Sequence, residues 1–353
     1  MTTFGVNAFG VGRGRNRYDS MLALAREAED AGCAAVWLSE LYSRSATIPM
    51  AVLAAGTTRV RIGTNIAYGV GRSPLIWAAE ARDLDELSGG RIIMGLGNGT
   101  ATMMENWHGV SGEAPAARMA ELLTVLKALW KLHEGPVHHD GRFYRVHVTP
   151  TSDVPEPVRP AIPVWIAGVN KLMLRTAGAH ADGLVGHPMF TADYVRGPVA
   201  DELTTGAATA DRDPADVAIM GIKMCAINDD VGLARRQAAF AIGQYAASRV
   251  YDRLFELHGW SGPQRTIREA ARSRDTAGLI AAVTDDMIDT IAIACTPEEF
   301  VDRLATIPDV FDHLDLIAPP WGLTDAQTME INRSIIAGLR TRTAPGAQGP
   351  DPS

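Results

Sequence analysis

Reactive side chains in this chain gather directly after apolar runs, at the places where a strand would end. Ser39 and Glu40 follow AAVWL (34–38), with Tyr42 and Arg44 close behind; GLGNGT (95–100) closes one run and AGVNK (167–171) closes another. His108 (in ENWHG) and His187 (in GHP) lie just beyond two such runs. Glu40 could serve as a general acid, as a ligand for a cationic substrate group, or as the partner of Arg44, and the plain ion pair is the simplest of these. Each of the two histidines could donate a proton or form a hydrogen-bonding wall. Glycines in such a loop let backbone N–H groups approach a planar or anionic ligand. In AGVNK a helix start beside Asn170 and Lys171 could hold a phosphate, or could be an ordinary strand-to-helix turn with a solvated lysine.

Other chemistries lack their residues. GLGNGT departs from G-x-G-x-x-G because Thr100 stands where the third glycine belongs, and no acid follows at ribose-binding distance. His133, His138, His139 and His147 cluster without HxH or HExxH spacing, so no metal site is expected. Cys33, Cys225 and Cys295 are far apart, lack CxxC pairing, and read as buried thiols. Neither a GxSxG elbow nor a Walker loop is present, which removes hydrolase and kinase readings. The sequons at Asn98 and Asn332 are expected to stay empty in a cytoplasmic protein.

The elements that must position these residues alternate. Val60–Thr100 alone reads strand, loop, helix, strand, loop, with both loops opening at the carboxyl end of the strands, where α/β proteins bind ligands. The whole chain gives strands near 4–9, 34–38, 60–67, 91–96, 163–167, 181–186, 217–227 and 313–318. Helices are expected over 18–31, 48–55, 74–87, 118–132, 171–179, 231–257, 297–304 and 324–339. Eight strands alternating with eight helices imply a (β/α)8 TIM barrel, one domain over residues 1–341. Two insertions, read as lid or edge segments, interrupt it after the helices that follow the fourth and the seventh strands: 134–160, with a hairpin around Asp140–Gly141, and 258–275, rich in Gly, Pro and Arg. Residues 342–353 read as a disordered tail.

Composition narrows the partner. Of 353 residues 46% are hydrophobic and 21% charged, enough for a large core. A formal net charge of −8 argues against nucleic acid or an anionic membrane and for a small molecule. The N-terminus carries no targeting pattern and no apolar run approaches ~18 residues, so a soluble cytoplasmic protein is expected.

Taken together, DLDELSGGRIIMGLGNG (83–99), VRIGTNIAYGVGRSPL (60–75), PVWIAG (163–168) and ADGLVGHP (181–188) resemble the luciferase-like monooxygenase superfamily over about Phe4 to Leu339. Its members include flavin-dependent monooxygenases and oxidoreductases that use coenzyme F-420, a deazaflavin. The resemblance implies a TIM barrel binding FMN or F-420 at its carboxyl end. It places a non-prolyl cis peptide at Asn65–Ile66, behind the cofactor ring. Further cofactor contacts are implied at Ser39, at Gly97, Asn98, Gly99 and Thr100, at Ala167, Gly168, Val169 and Asn170, and at Gly186 with His187. Glu40, His108 and His187 are the catalytic candidates.

Departures limit the transfer. Sugar-phosphate dehydrogenases of the F-420 branch carry Asp-His after the second strand and a Glu in the loop after the fourth; here stand Ser39-Glu40 and, approximately, Thr100. Luciferase's acid-histidine pair is also missing, since Leu41 follows Glu40. The favoured expectation is hydride transfer between F-420 and a small organic substrate. The alternatives are an FMN-dependent monooxygenase using O2 and a separate flavin reductase, and a non-catalytic barrel subunit. Family members are commonly homodimers or larger, and Trp107, Phe143, Trp165 and Trp321 suggest an apolar pocket.

Overall fold

The strands in chain order are β1 (Thr3–Asn7), β2 (Ala35–Leu38), β3 (Arg61–Thr64), β4 (Ala67–Tyr68), β5 (Ile92–Gly97) and β6 (Val137–Asp140). They continue as β7 (Arg145–Val148), β8 (Val164–Ala167), β9 (Gly183–Val185), β10 (Ala218–Ile227), β11 (Ala292–Cys295) and β12 (His313–Ile317). The computed structural model describes residues 2–343. Apart from the β6–β7 hairpin, every registered pairing is parallel, and the fold is the (β/α)8 barrel that the alternation implied.

Two compact units make up the chain. One takes the chain up to Val36, Gly186–Pro198 and everything from Met220 on; the other takes Trp37–Val185 and Val199–Ile219. In the first, β12 lies between β1 (Val6 opposite Leu316) and β10 (Met224 opposite Ile317), and the far end of β10 pairs with β11 (Ile227 opposite Cys295). In the second, β5 lies between β3 (Ile62 opposite Ile92) and β8 (Leu96 opposite Ile166), and β8 pairs with β9. β5 and β9 are buried along their whole length, and β8 up to its last residue, as parallel strands covered by helices must be.

Helix ends follow local chemistry. The helix Pro74–Ser88 starts where the Ser73 hydroxyl accepts the Ile76 N–H and stops at Gly89, whose φ of 66° is left-handed. Its buried Asp85 carboxylate takes Arg159 at 2.6 Å, which fastens the proline-rich return of the insertion. The hairpin expected around Asp140–Gly141 is present, with Val137 opposite Val148.

Other segments differ from their expectations. The helix Ala101–His108 was not foreseen, because it buries only Met104 and so shows no amphipathic stripe. The segment 258–275 read as an insertion contains a helix, Ser261–Ser273; its Gly262 and Pro263 sit in the first turn, where a missing N–H costs nothing. The helix expected over 231–257 breaks after Ala246 and resumes at Asp252. The last helix runs Asp325–Thr343, through the first two positions assigned to the tail; 344–353 lie outside the described residues. Among the described residues no helix is long and apolar enough to cross a membrane.

Candidate functional site

In the unit that holds β3 and β5, the ends of the strands are cross-tied by side chains. Thr64 is fully buried, and its hydroxyl both donates to the Gly95 carbonyl (2.6 Å) and accepts the Gly95 N–H (3.0 Å). β3 stops there. The Asn65–Ile66 peptide is cis, at the position the resemblance implied. Asn65 donates its N–H to the Leu38 carbonyl and Glu40 donates its own to the Ile66 carbonyl, both at 2.8 Å. The Ser39 hydroxyl reaches the Asn65 side-chain oxygen at 3.0 Å. Ser39, Glu40, Asn65 and Ile66 are therefore one assembly.

The glycines of β5 make room for this assembly. A methyl on Gly95 would sit 1.6 Å from the Thr64 carbonyl oxygen, and one on Gly97 would sit 2.6 Å from Ile66 Cδ1. Their clearance is used by the chain's own atoms. Beyond them, Asn98 is buried and donates to the Pro115 carbonyl at 2.7 Å, while its side-chain oxygen has no hydrogen-bond partner. Thr100 caps the helix Ala101–His108 by accepting the Met103 N–H. Asn170 does the same for Lys171–His180 through Met173, and Lys171 lies 3.9 Å from Glu202. The 167–171 turn thus keeps a helix start, with its lysine facing an acid.

Glu40 forms an ion pair, but with Arg72 rather than Arg44. Its carboxylate takes both guanidinium nitrogens of Arg72 (2.8 and 3.2 Å) and the Tyr68 N–H (2.9 Å). Arg44 is exposed, and its guanidinium reaches only the Ser43 carbonyl, since Leu41 and Arg44 close a tight turn between them. Burial alone would pull the Arg72 guanidinium down, yet its bonds to Glu40 and Glu80 hold it above its usual range. It also lies over the Trp77 ring, 4.3 Å from the centroid. Glu40, Arg72, Tyr68, Trp107 and His108 line a cavity of about 600 Å³. Its rim is aromatic: Tyr42 and Trp107 meet edge-on at 5.4 Å, and Tyr68 lies 4.9 Å from the His108 ring. His108 Nε2 is buried without a partner.

His187 belongs to the other unit, where Gly186 donates to the Met220 carbonyl. Met189 N–H points at His187 Nδ1 (3.2 Å), so Nδ1 must accept and the proton of the neutral ring sits on Nε2. Nε2 then donates to the Tyr251 oxygen at 2.8 Å, which leaves the phenol hydrogen free. Tyr245 meets the imidazole edge-on at 4.6 Å and is itself flanked by Trp321. Although one edge of the residue keeps some contact with solvent, burial pushes the imidazole pKa down to about 3, so His187 is neutral at ordinary pH. Burial raises Tyr251 and Tyr245 above the usual phenol value, so both stay protonated.

His139 and His147 are tied to acids at the hairpin. Glu121 gathers the hairpin by accepting the Tyr144 and Phe143 amides (2.7 and 3.0 Å) and His139 Nε2 (3.2 Å); these bonds hold its carboxyl below the usual range although burial pushes the other way. His147 lies 2.8 Å from Asp140. Among the described residues no group of three or more His, Cys, Asp and Glu could hold a metal. Trp165 packs on Trp37 at 5.5 Å, within the core rather than a pocket.

Sequence reasoning missed Tyr68, Arg72 and Tyr251. Arg72 had a signal: a lone cation in GVGRSP, just before a Ser-Pro helix start, whose side chain must find an acid or solvent. Tyr251 had none, because AASRVY carries no glycine or proline to mark the helix break that delivers it.

Comparison with known proteins gives the family and the fold. The chain is 30% identical to an uncharacterized protein of Mycobacterium tuberculosis over 78% of its length and 81% of the relative's. It is 26% identical to a 5,10-methylenetetrahydromethanopterin reductase of Archaeoglobus fulgidus, over 82% and 86% of the two chains. The coenzyme F-420-dependent tetrahydromethanopterin reductase from Methanopyrus kandleri superposes with a TM-score of 0.74 at 23% identity, covering 96% of this chain and 99% of that one, a likeness of fold. The luciferase-like monooxygenase family model matches residues 1–313, so the chain belongs to that family and is an oxidoreductase of its class.

Proposed function

We propose that the protein transfers a hydride between coenzyme F-420 and a small organic substrate. The observation that carries this reading is the neutral His187–Tyr251 pair, a hydrogen-bonded donor with no charged group of its own and a free phenol hydrogen. Such a pair can hand over or take back one proton, but it cannot move electrons, so the redox step needs a bound group. The residues fit a deazaflavin on one further ground: a buried acceptor on Asn98 and a buried ring nitrogen on His108 have no partner among the described residues. When bound, the deazaflavin would supply the hydride chemistry.

In this reading Ser39, Asn98 and the backbone of 97–100 and 167–170 hold the cofactor. Glu40 is saturated by Arg72 and the Tyr68 amide, which makes it a positioning residue for that loop rather than a proton donor. Trp107 and Tyr42 offer an apolar wall to the substrate. The choice of F-420 over FMN draws support from a Mycobacterium tuberculosis relative named a putative coenzyme F420-dependent oxidoreductase, 31% identical over 62% of this chain and 64% of that one. Titration of the purified protein with each cofactor, followed by fluorescence, tests it. Saturable binding of F-420 without FMN affinity is expected; tight FMN binding with oxygen consumption would overturn it.

A further inference from the structure

The unit that carries β10 holds a second hollow, of about 250 Å³, whose walls include Phe190, Ile293 and Phe311. From β10 the hollow is lined by Gly221, Ile222 and Lys223, and the parallel neighbour of Lys223 on β12 is Leu316, so a cation stands among apolar neighbours. Its ammonium makes one hydrogen bond, to the Thr290 carbonyl at 2.9 Å, in the last turn of the helix Asp285–Ile291. That contact answers one unfilled carbonyl at a helix end, but an ammonium has three donors.

The acids of the hollow are paired with cations other than Lys223. Two line it, and both are already engaged: Asp289 holds Arg235 at 2.7 Å, and Asp193 lies 3.6 Å from Arg196. Arg303, on the helix Phe300–Ala305, is a second lining cation at the exposed rim. Within its own strand Lys223 feels only the Cys225 thiol, which is protonated because burial raises it. With no carboxylate to compensate, burial pushes the Lys223 pKa down to about 8. Although the Lys223 side chain keeps partial contact with solvent, its ammonium has no carboxylate bonded to it among the described residues, and an anion entering the hollow would supply one.

We propose that this hollow binds a small organic carboxylate, its head group on Lys223 and Arg303 and its apolar body against Ile293 and Phe311. The assignment does not depend on which redox cofactor the protein uses.

Calorimetric titration of the full chain with hexanoate, and with hexanol as its uncharged counterpart, tests it. Hexanoate should bind saturably and hexanol should not. Lys223→Met should abolish hexanoate binding, and Arg303→Gln, at an exposed position, should weaken it several-fold. Binding needs the protonated amine, and with a pKa about 8 the competent fraction falls about tenfold between pH 7 and pH 9, so the apparent Kd should rise about tenfold. Absence of hexanoate binding, equal affinity for hexanol, or full affinity in Lys223→Met overturns the proposal. Should Lys223→Met fail to fold, an affinity that ignores both pH and Arg303→Gln overturns it equally.

Discussion

Replacing Glu40 by glutamine removes the charge that faces Arg72 while keeping the size of the side chain. The pair is well enclosed: the Arg72 and Glu40 side chains are 17% and 11% exposed, with contacts at 2.8 and 3.2 Å. Stripping one partner from a buried pair costs roughly 3–5 kcal/mol. Two features lower that figure here. Arg72 keeps Glu80 at 3.0 Å and the face of Trp77, and the glutamine oxygen can still accept the Tyr68 N–H. The expected loss is therefore about 2 kcal/mol, with a similar loss for Arg72→Met. Because both variants break the same contact, the double variant should fall short of their sum by about 1–2 kcal/mol. Equilibrium urea unfolding of the four proteins measures this, with Arg44→Ala as a control expected to cost less than about 0.5 kcal/mol. A coupling below about 0.3 kcal/mol between positions 40 and 72, or an Arg44→Ala loss as large as that of Arg72→Met, would refute the pairing.

Other outcomes follow from the same geometry. If Tyr251 supplies the proton, Tyr251→Phe should lower turnover about 100-fold with cofactor affinity little changed, and an unaltered kcat removes Tyr251 from the chemistry. His187 has a folded pKa near 3, below its unfolded value, so its contribution to stability is complete at neutral pH and is lost as pH falls through the window from about 6.5 to 3. Between pH 6 and 5 the wild type should lose about 1 kcal/mol more than His187→Gln; parallel pH profiles would show that the imidazole is not desolvated. Gly97→Ala should cost about 1–3 kcal/mol, because the Ile66 side chain can shift, whereas Gly95→Ala meets the Thr64 backbone carbonyl and should yield no stably folded protein. Soluble expression and thermal melting of the two variants decide the matter, and equal stability would mean the β3–β5 contact is looser than described.

The barrel was legible because its signal is local: apolar runs that alternate with amphipathic helices force parallel strands, and parallel strands need helical cover. What escaped lacked such a signal. The helix Ala101–His108 buries one residue, so its periodicity is faint, and only its ends, Thr100 and Gly109, mark it. β11 escaped because its four apolar residues follow the helix Asp285–Ile291 with no glycine or proline between them to mark a boundary.

The site divides along the same line. Ser39, Asn65, Ile66 and the glycines lie in runs whose spacing is itself informative, and the structure brings them together. The partner of Glu40 was misjudged because sequence distance favoured Arg44, four residues away, over Arg72, thirty-two away. The chain between positions 41 and 44 turns back on itself and leaves Arg44 exposed, while the break after β3 and the short β4 carry residue 72 to the end of β2. An acid that follows a strand is thus better paired, in thought, with cations that follow the neighbouring strand than with those in its own loop. The same rule accounts for Tyr251: it was invisible as a neighbour of His187 because its strand, β10, lies between them in sequence, and only the loss of helix after Ala246 points its hydroxyl at the imidazole.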